Sequence, residues 1–115
     1  MGTLPMPAVQ DIELVAVLAA LGDPSRLEMV GILARVPEAP CGELLADRMA
    51  KSTRSHHLRV LREAGVIATR AEGNYKYSRL RCDELNARFP GLLDSVVAGT
   101  LPTVPTPPAA LAEAP

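Results

Sequence analysis

The hydrophobic pattern changes from a helical to a strand period at Gly65. Before this glycine the apolar residues recur every three or four positions, which indicates amphipathic helices. After it, Val66–Arg70 and Tyr75–Leu80 have the composition of short strands, and Glu72-Gly73-Asn74 between them is typical of a hairpin turn. The sequence therefore predicts a mainly helical α+β domain that carries a single β-hairpin.

Helix-breaking residues divide the rest of the chain into five helical segments. Asp23-Pro24 predicts an N-cap followed by proline at the first helical position, and Gly65 predicts the end of the helix that precedes the hairpin. The last segment is interrupted at Phe89-Pro90-Gly91. The predicted order is ααααββα, with helices from Val9 to Leu21, from Pro24 to the connector at 36–40, at about 41–49, from Ser52 to Ala64 and from Asp83 to Val97.

The 115 residues correspond to one domain, predicted at 9–99. Residues 1–8 contain two prolines and are expected to be flexible, and residues 100–115 are expected to be a Pro-rich disordered tail. Neither a secretory leader nor an 18-residue apolar run is visible, so a cytoplasmic protein without a membrane partner is expected. Cys41 and Cys82 do not make a disulfide framework, and each is expected to be a small buried residue.

The net charge of −1 conceals a basic segment between Lys51 and Arg81. This segment carries eight basic and two acidic side chains, a local charge of +6, while the remainder of the chain carries −7. Binding to phosphates depends on the cations at the contact surface, so the local charge favours a nucleic acid as partner. A solvated charged face is the alternative. Aromatic residues make up only 3% of the chain, which disfavours a stacking platform for single strands.

The helix from Ser52 to Ala64 divides into two faces. Its inward stripe contains Arg54, Leu58 and Leu61, and the opposite face is polar, with Ser52, Ser55, His56, Arg59 and Glu63. An α-helix fits the major groove of duplex DNA, and its N-terminal amides favour nearby phosphate. Helices followed by a basic helix and a hairpin are the order of a winged helix-turn-helix, which is the predicted fold.

Three motifs, in this order, resemble the ArsR/SmtB family of bacterial transcription regulators. Residues 21–27 match the helix-opening pattern L-x-D-P-x-R-L, residues 51–67 are similar to the family's recognition helix and the strand after it, and residues 72–80 resemble its wing. The match covers roughly residues 10–98. The resemblance implies a homodimer that pairs its first and last helices across a two-fold axis and binds a pseudo-palindromic operator in double-stranded DNA. Many members release DNA when a metal binds.

Two sets of residues are predicted to carry this function. The DNA contacts are expected from Lys51, Ser52, Thr53, Arg54, Ser55, His56 and Arg59 on the recognition helix and from Arg70, Asn74 and Lys76 on the wing. Arg54 stands where members usually place Val, Leu or Ile, so it is expected to extend toward a phosphate, while His57 is expected to pack at the helix edge. Dimerisation is expected from Leu14, Val15, Leu18, Leu92, Leu93, Val96 and Val97, with the chain's own core as the alternative for the last four.

The family's usual sensor sites are missing from this sequence. Its thiolate site uses Cys-x-Cys, but Cys41 is followed by Gly42-Glu43, and the last helix offers carboxylates without histidine. No cofactor is predicted. A nickel- or zinc-responsive regulator with an unorthodox site remains one alternative, and a winged-helix module that acts mainly through a protein partner is another. An enzyme is not expected, because neither a nucleophile elbow nor a glycine-rich phosphate loop occurs.

Overall fold

The computed structural model describes residues 2–100, which form five α-helices and a four-stranded antiparallel sheet. Two single 3-10 turns, Val9–Asp11 and Cys41–Glu43, precede the first and third helices. The elements are β1 (Gly2–Thr3), α1 (Leu14–Leu21), α2 (Pro24–Leu33), β2 (Ala39–Pro40), α3 (Lys51–Ala64), β3 (Ile67–Glu72), β4 (Tyr75–Leu80), α4 (Cys82–Arg88) and α5 (Leu92–Thr100).

Most helix boundaries follow from local chemistry and agree with the prediction. Asp23 caps α2, because its side chain accepts hydrogen bonds from the amides of Ser25 and Arg26 at 2.9 and 3.0 Å. The predicted interruption of the last helix is confirmed, since α4 and α5 are separated at residues 89–91. No helix within residues 2–100 is long and apolar enough to cross a bilayer.

The prediction of a short helix at 41–49 is wrong. The segment contains only the 3-10 turn Cys41–Glu43 and then irregular turns up to α3. Leu45 has a left-handed backbone (φ 54°), which interrupts the hydrogen bonding that a continuous helix needs. The segment is held to the domain by its side chains instead, since Leu44 and Leu45 are both buried.

The N-terminal residues are part of the sheet, although the sequence predicts a flexible segment over residues 1–8. β1 pairs with β3, placing Gly2 opposite Ala71 and Thr3 opposite Arg70. β2 pairs with the other side of the hairpin, so the strand order is β1-β3-β4-β2. The predicted tail lies outside the described residues apart from Thr100, which ends α5.

The core is aliphatic and joins α1, α2 and α3 to the base of the hairpin. Ile12, Met29, Leu61 and Ile67 are among its fully buried side chains. The first helix, α1, begins at Leu14, later than predicted. It buries one face through Val17, Ala20 and Leu21. As a result Leu14, Val15 and Leu18 remain exposed on the outer face of α1.

Gly65 ends α3 in a left-handed conformation (φ 91°). The amide of Val66 bonds the carbonyl of Leu61 at 2.9 Å and the amide of Gly65 bonds that of Arg62 at 3.0 Å, which is a Schellman motif. An added Cβ would lie 2.7 Å from Cγ1 of Ile12, a side chain only 1% exposed. Both the backbone angle and the close approach therefore require glycine here.

The two glycines of positive φ that flank β3 provide a matched test of this close approach. Gly65→Ala is expected to cost about 2–4 kcal/mol of unfolding free energy, because left-handed strain and overpacking against Ile12 add together. Gly73→Ala, at φ 64° with no atom within 4 Å of the added Cβ, should cost only about 1–2 kcal/mol. Denaturant unfolding measures both values. Equal costs would show that Ile12 does not constrain this helix end.

Candidate nucleic-acid interface

Helix α3 presents a polar face to solvent, and the predicted division of its two faces is confirmed. Leu58, Leu61 and Ala64 are buried against the domain. The outward residues are all exposed, namely Lys51, Ser52, Thr53, Ser55, His56, Arg59 and Glu63. Arg54, predicted on the inward stripe, is half-buried between the two faces. The arrangement leaves one side of a regular helix open along its whole length.

The first turn of α3 has amides that no side chain caps. The N-cap residue is Ala50, whose extended backbone starts the helix without a side-chain hydrogen bond. Unsatisfied amides and the positive end of the helix dipole favour an anion at this position. Lys51 and Ser52 lie beside these amides, so the exposed face begins with an arrangement suited to a phosphate group.

Arg26 joins α3 to the two preceding helices. Its Nε donates to the carbonyl of Ala20, at the end of α1, at 2.6 Å. Its Nη1 lies 3.0 Å from Nδ1 of His57 on α3, and because a guanidinium only donates, Nδ1 is the acceptor. His57 is 14% exposed, as expected for a residue that packs at the helix edge. One side chain thus fixes the relative position of three helices.

Asp23 completes this junction at the start of α2. Its Oδ2 accepts from the amides of Ser25 and Arg26 and lies 4.0 Å from Nδ1 of His57. The backbone hydrogen bond from Arg26 holds the pKa of Asp23 below its ordinary value. The sequence identifies Asp23 as a cap but gives no role to Arg26. The only sequence signal that Arg26 joins the helices is its place as the arginine of the helix-opening motif.

The wing, formed by β3, β4 and their turn Gly73-Asn74, has one face directed toward α3. Thr69 and Lys76 from this face line an open groove of about 440 Å³ together with Ser55, Arg59 and Arg62 of α3. Asn74 is exposed at the tip of the wing. The groove thus brings together three cationic side chains from two elements, and no carboxylate lines it.

Arg70, predicted to contact DNA from the wing, lies on the wing face that points away from α3. It lines a separate small cavity with Glu38, Tyr77 and Arg79. Its guanidinium donates to both carboxylate oxygens of Glu38, at 2.6 and 3.1 Å, and also to Glu72. The guanidinium carbon lies 4.6 Å from the centroid of the Tyr77 ring. Arg70 is therefore engaged within the chain, and this geometry does not support a DNA contact.

Internal contacts divide the basic segment into two groups. Arg62 donates to the carbonyl of Pro5, Arg79 pairs with Glu84, and the buried Arg81 donates to the carbonyl of Pro7. With Arg70, four of the eight cations are thus held by carboxylates or backbone carbonyls of the domain, whereas Nη2 of Arg59 lies 3.4 Å from Nδ1 of His56 on the same helix. Within residues 2–100, no ion pair engages the other four, which are Lys51, Arg54, Arg59 and Lys76.

The two cysteines occupy different environments, and the expectation that both are buried is wrong for Cys82. Cys82 is exposed because it opens α4 at the surface. Cys41 is half-buried, with Sγ 3.1 Å from Oγ of Ser78. In the described part of the chain, no cluster of three or more His, Cys, Asp or Glu side chains could hold a metal ion.

The residues predicted to dimerise fall into two classes. Leu14, Val15 and Leu18 form an apolar patch on α1, with 43, 77 and 49% exposure. The α5 residues pack more on the chain itself, since Leu93 is 7% exposed and belongs to the core, while Leu92, Val96 and Val97 are half-buried against it. The surface available for pairing therefore consists mainly of the α1 patch.

Arg26→Lys tests the junction that positions α3. Lysine keeps the charge but cannot reach Ala20 and His57 together, so the unfolding free energy should fall by about 2 kcal/mol. Arg35→Lys, an exposed position at the end of α2, should change it by less than about 0.5 kcal/mol. Thermal or denaturant unfolding compares the two variants. Equal stability would show that the Arg26 contacts do not hold the helices together.

Known proteins share both the sequence pattern and the fold. Residues 21–70, from the end of α1 to the middle of β3, match a family model described as a helix-turn-helix domain. The HTH-type transcriptional regulator YceK of Bacillus subtilis is 38% identical over 82 residues, covering 70% of this chain and 82% of the relative. The arsenical resistance operon repressor of Staphylococcus xylosus is 37% identical over 68 residues, covering 54% and 60%.

The fold of the chain also resembles that of a solved structure. The crystal structure of an ArsR-family transcriptional regulator superposes with a TM-score of 0.60 at 25% identity, covering 75% of this chain and 89% of that one. The chain belongs to the ArsR/SmtB family of winged helix-turn-helix regulators, and it is a DNA-binding transcriptional regulator.

Proposed function

We propose that the chain acts as a homodimer on a pseudo-palindromic operator, with α3 in the major groove of each half-site. The observation that carries this proposal is the set of four cations of the basic segment that no carboxylate or backbone carbonyl within residues 2–100 holds. Three of them, Lys51, Arg54 and Arg59, lie on α3, and Lys76 lines the groove between α3 and the wing. Although the net charge of the chain is −1, these four cations lie on α3 and on the wing face beside it.

The side chains of α3 divide into two chemical roles in this proposal. Ser52, Thr53, Ser55 and His56 carry hydroxyl or imidazole groups that can hydrogen-bond base edges, which is where sequence is read. The cations beside them meet phosphates and set the position of the helix on the duplex. On the wing, Asn74 and Lys76 contact the adjacent backbone, and Arg70 is left out because Glu38 and Glu72 already hold it.

The apolar patch on α1 supports the dimer. Leu14, Val15 and Leu18 are large apolar side chains on one exposed helix face, and such patches usually mark a contact surface. Pairing through this face gives a two-fold axis, so the half-sites should be about 34–36 Å apart. Since the ligand in this proposal is genomic DNA, we place the protein in the cytoplasm.

Arg59→Ala tests the contact of α3 with phosphate. Removing one phosphate contact should weaken binding to an operator duplex roughly tenfold and reduce the slope of log K against log salt concentration by about one. Arg79→Ala removes a cation from the same basic segment, but on the wing face that is turned away from α3. It should leave the slope unchanged. Fluorescence anisotropy between about 50 and 200 mM salt measures both. If both variants lower the slope equally, Arg59 on α3 contributes no more to phosphate binding than Arg79 on the far face of the wing.

Val15→Glu tests the dimer surface. A carboxylate in the centre of an apolar contact is costly to desolvate, so the variant should sediment as a monomer at concentrations where the wild type is a dimer. Val36→Glu makes the same exchange at a second exposed valine, 40% exposed in the connector after α2, and should stay dimeric. Analytical ultracentrifugation distinguishes the two. A dimeric Val15→Glu variant would place the interface elsewhere.

A further inference from the structure

Arg70 and Glu38 form a bridge across the face of the wing that points away from α3. The guanidinium bonds Glu38 through Nε and Nη2 at 3.1 and 2.6 Å, in the two-pronged geometry that fixes both side chains. The ring of Tyr77 lies under the guanidinium at 4.6 Å. Both ends of the bridge are half-exposed, with side-chain exposures of 43% for Arg70 and 34% for Glu38.

The bridge spans three strands of the sheet. Glu38 lies in the connector immediately before β2, which pairs with β4 by placing Ala39 opposite Ser78. Arg70 lies in β3, on the other side of β4, where it pairs with Tyr77. The Glu38–Arg70 contact therefore passes over β4 and ties the connector after α2 to the far strand of the hairpin.

The wing needs such a tie because its own hydrogen bonding is limited. A two-stranded hairpin is only marginally stable alone. The edge strands β1 and β2, which extend this hairpin into a sheet, have only two residues each. Beyond the Arg70–Tyr77 pair, the hairpin toward the tip consists of two more residue pairs and the turn. The bridge therefore sets the position of the wing tip, because it crosses the sheet at the Arg70–Tyr77 pair.

Charge reinforces the bridge at neutral pH. The hydrogen bonds from Arg70 hold the pKa of Glu38 below its ordinary value, so this carboxylate is ionised at neutral pH. Glu72 bonds the same guanidinium from the other side. Two carboxylates therefore hold Arg70 within the wing, and a phosphate would have to displace both.

We propose that Glu38 is a positioning residue for DNA binding, which acts through Arg70 and never touches the DNA. By fixing the wing against the connector, it holds Lys76 at the groove it shares with α3, ready to meet the backbone of the duplex. This inference rests on the proposed function, in which α3 and the wing bind one half-site together.

Glu38→Gln gives a test in which positioning and simple electrostatics predict opposite results. The exchange removes an acid from a protein that binds a polyanion, so electrostatics alone predicts tighter binding and an unchanged salt slope. The positioning role predicts binding weaker by about fivefold and a slope shallower by up to about one, because Lys76 loses its phosphate although no cation was removed. Glu43→Gln, an exposed acid close in sequence, is the charge-matched control and should bind at least as tightly as the wild type.

A double-mutant cycle with Lys76→Ala distinguishes positioning from a general loss of stability. In the wild type this exchange should weaken binding roughly tenfold, and in the Glu38→Gln background it should cost less than threefold, because the Lys76 contact is already lost. Thermal unfolding of each variant, done in parallel, verifies that the domain is folded in the assay.

The outcomes separate this inference from the proposed function. Weaker binding of Glu38→Gln with a shallower slope and a non-additive cycle supports the positioning role. Binding as tight as that of Glu43→Gln, an unchanged slope or an additive cycle overturns it while the proposed function stands. A wild-type protein that binds no duplex at about 50 mM salt overturns both.

Discussion

The position of the recognition helix depends on one guanidinium. Arg26 bonds the last turn of α1 through the carbonyl of Ala20 and the side of α3 through His57, while its own amide is held by the Asp23 cap. The opposite end of α3 is fixed by Gly65, which leaves no room between the backbone and Ile12. Leu58 and Leu61 fill the space between these two points. Because the helix is constrained at its middle, at its C-terminal end and along its inner face, its outer face is free to meet a ligand without rearrangement.

The cations of the basic segment divide in the same way, into those that hold the domain together and those on its outer surface. Four of the cations in the basic segment are used to build the domain, two of them by holding backbone carbonyls of the N-terminal residues Pro5 and Pro7. The others lie on α3 and on the wing face beside it. Counting charges along the sequence therefore gives the correct type of partner but overestimates the number of cations that can reach it. In the proposed interface, the binding surface is defined by the cations that neither a carboxylate nor a backbone carbonyl holds.

Local signals in the sequence are sufficient to indicate the five observed α-helices and the hairpin. The Asp23 cap, the glycine at the end of α3 and the change of hydrophobic period are each set by neighbouring residues, so they can be read directly. The prediction of a helix at 41–49 is wrong because Leu44 and Leu45 indicate burial but not the left-handed backbone at Leu45. β1 and β2 have two residues each, too few to show any alternation. The bridge from Glu38 to Arg70 joins residues 32 positions apart, and only the folded sheet brings them together.

The most direct test of this account is to map the contact surface by amide NMR while a duplex carrying the operator is titrated at about 50 mM salt. The account predicts that the largest shifts fall on the outer face of α3, from Lys51 to Arg59, and at the wing tip around Asn74 and Lys76. Residues around Arg79, on the other face of the wing, should change little. Shifts centred on that far face, or a duplex that leaves the α3 signals unchanged, would contradict it.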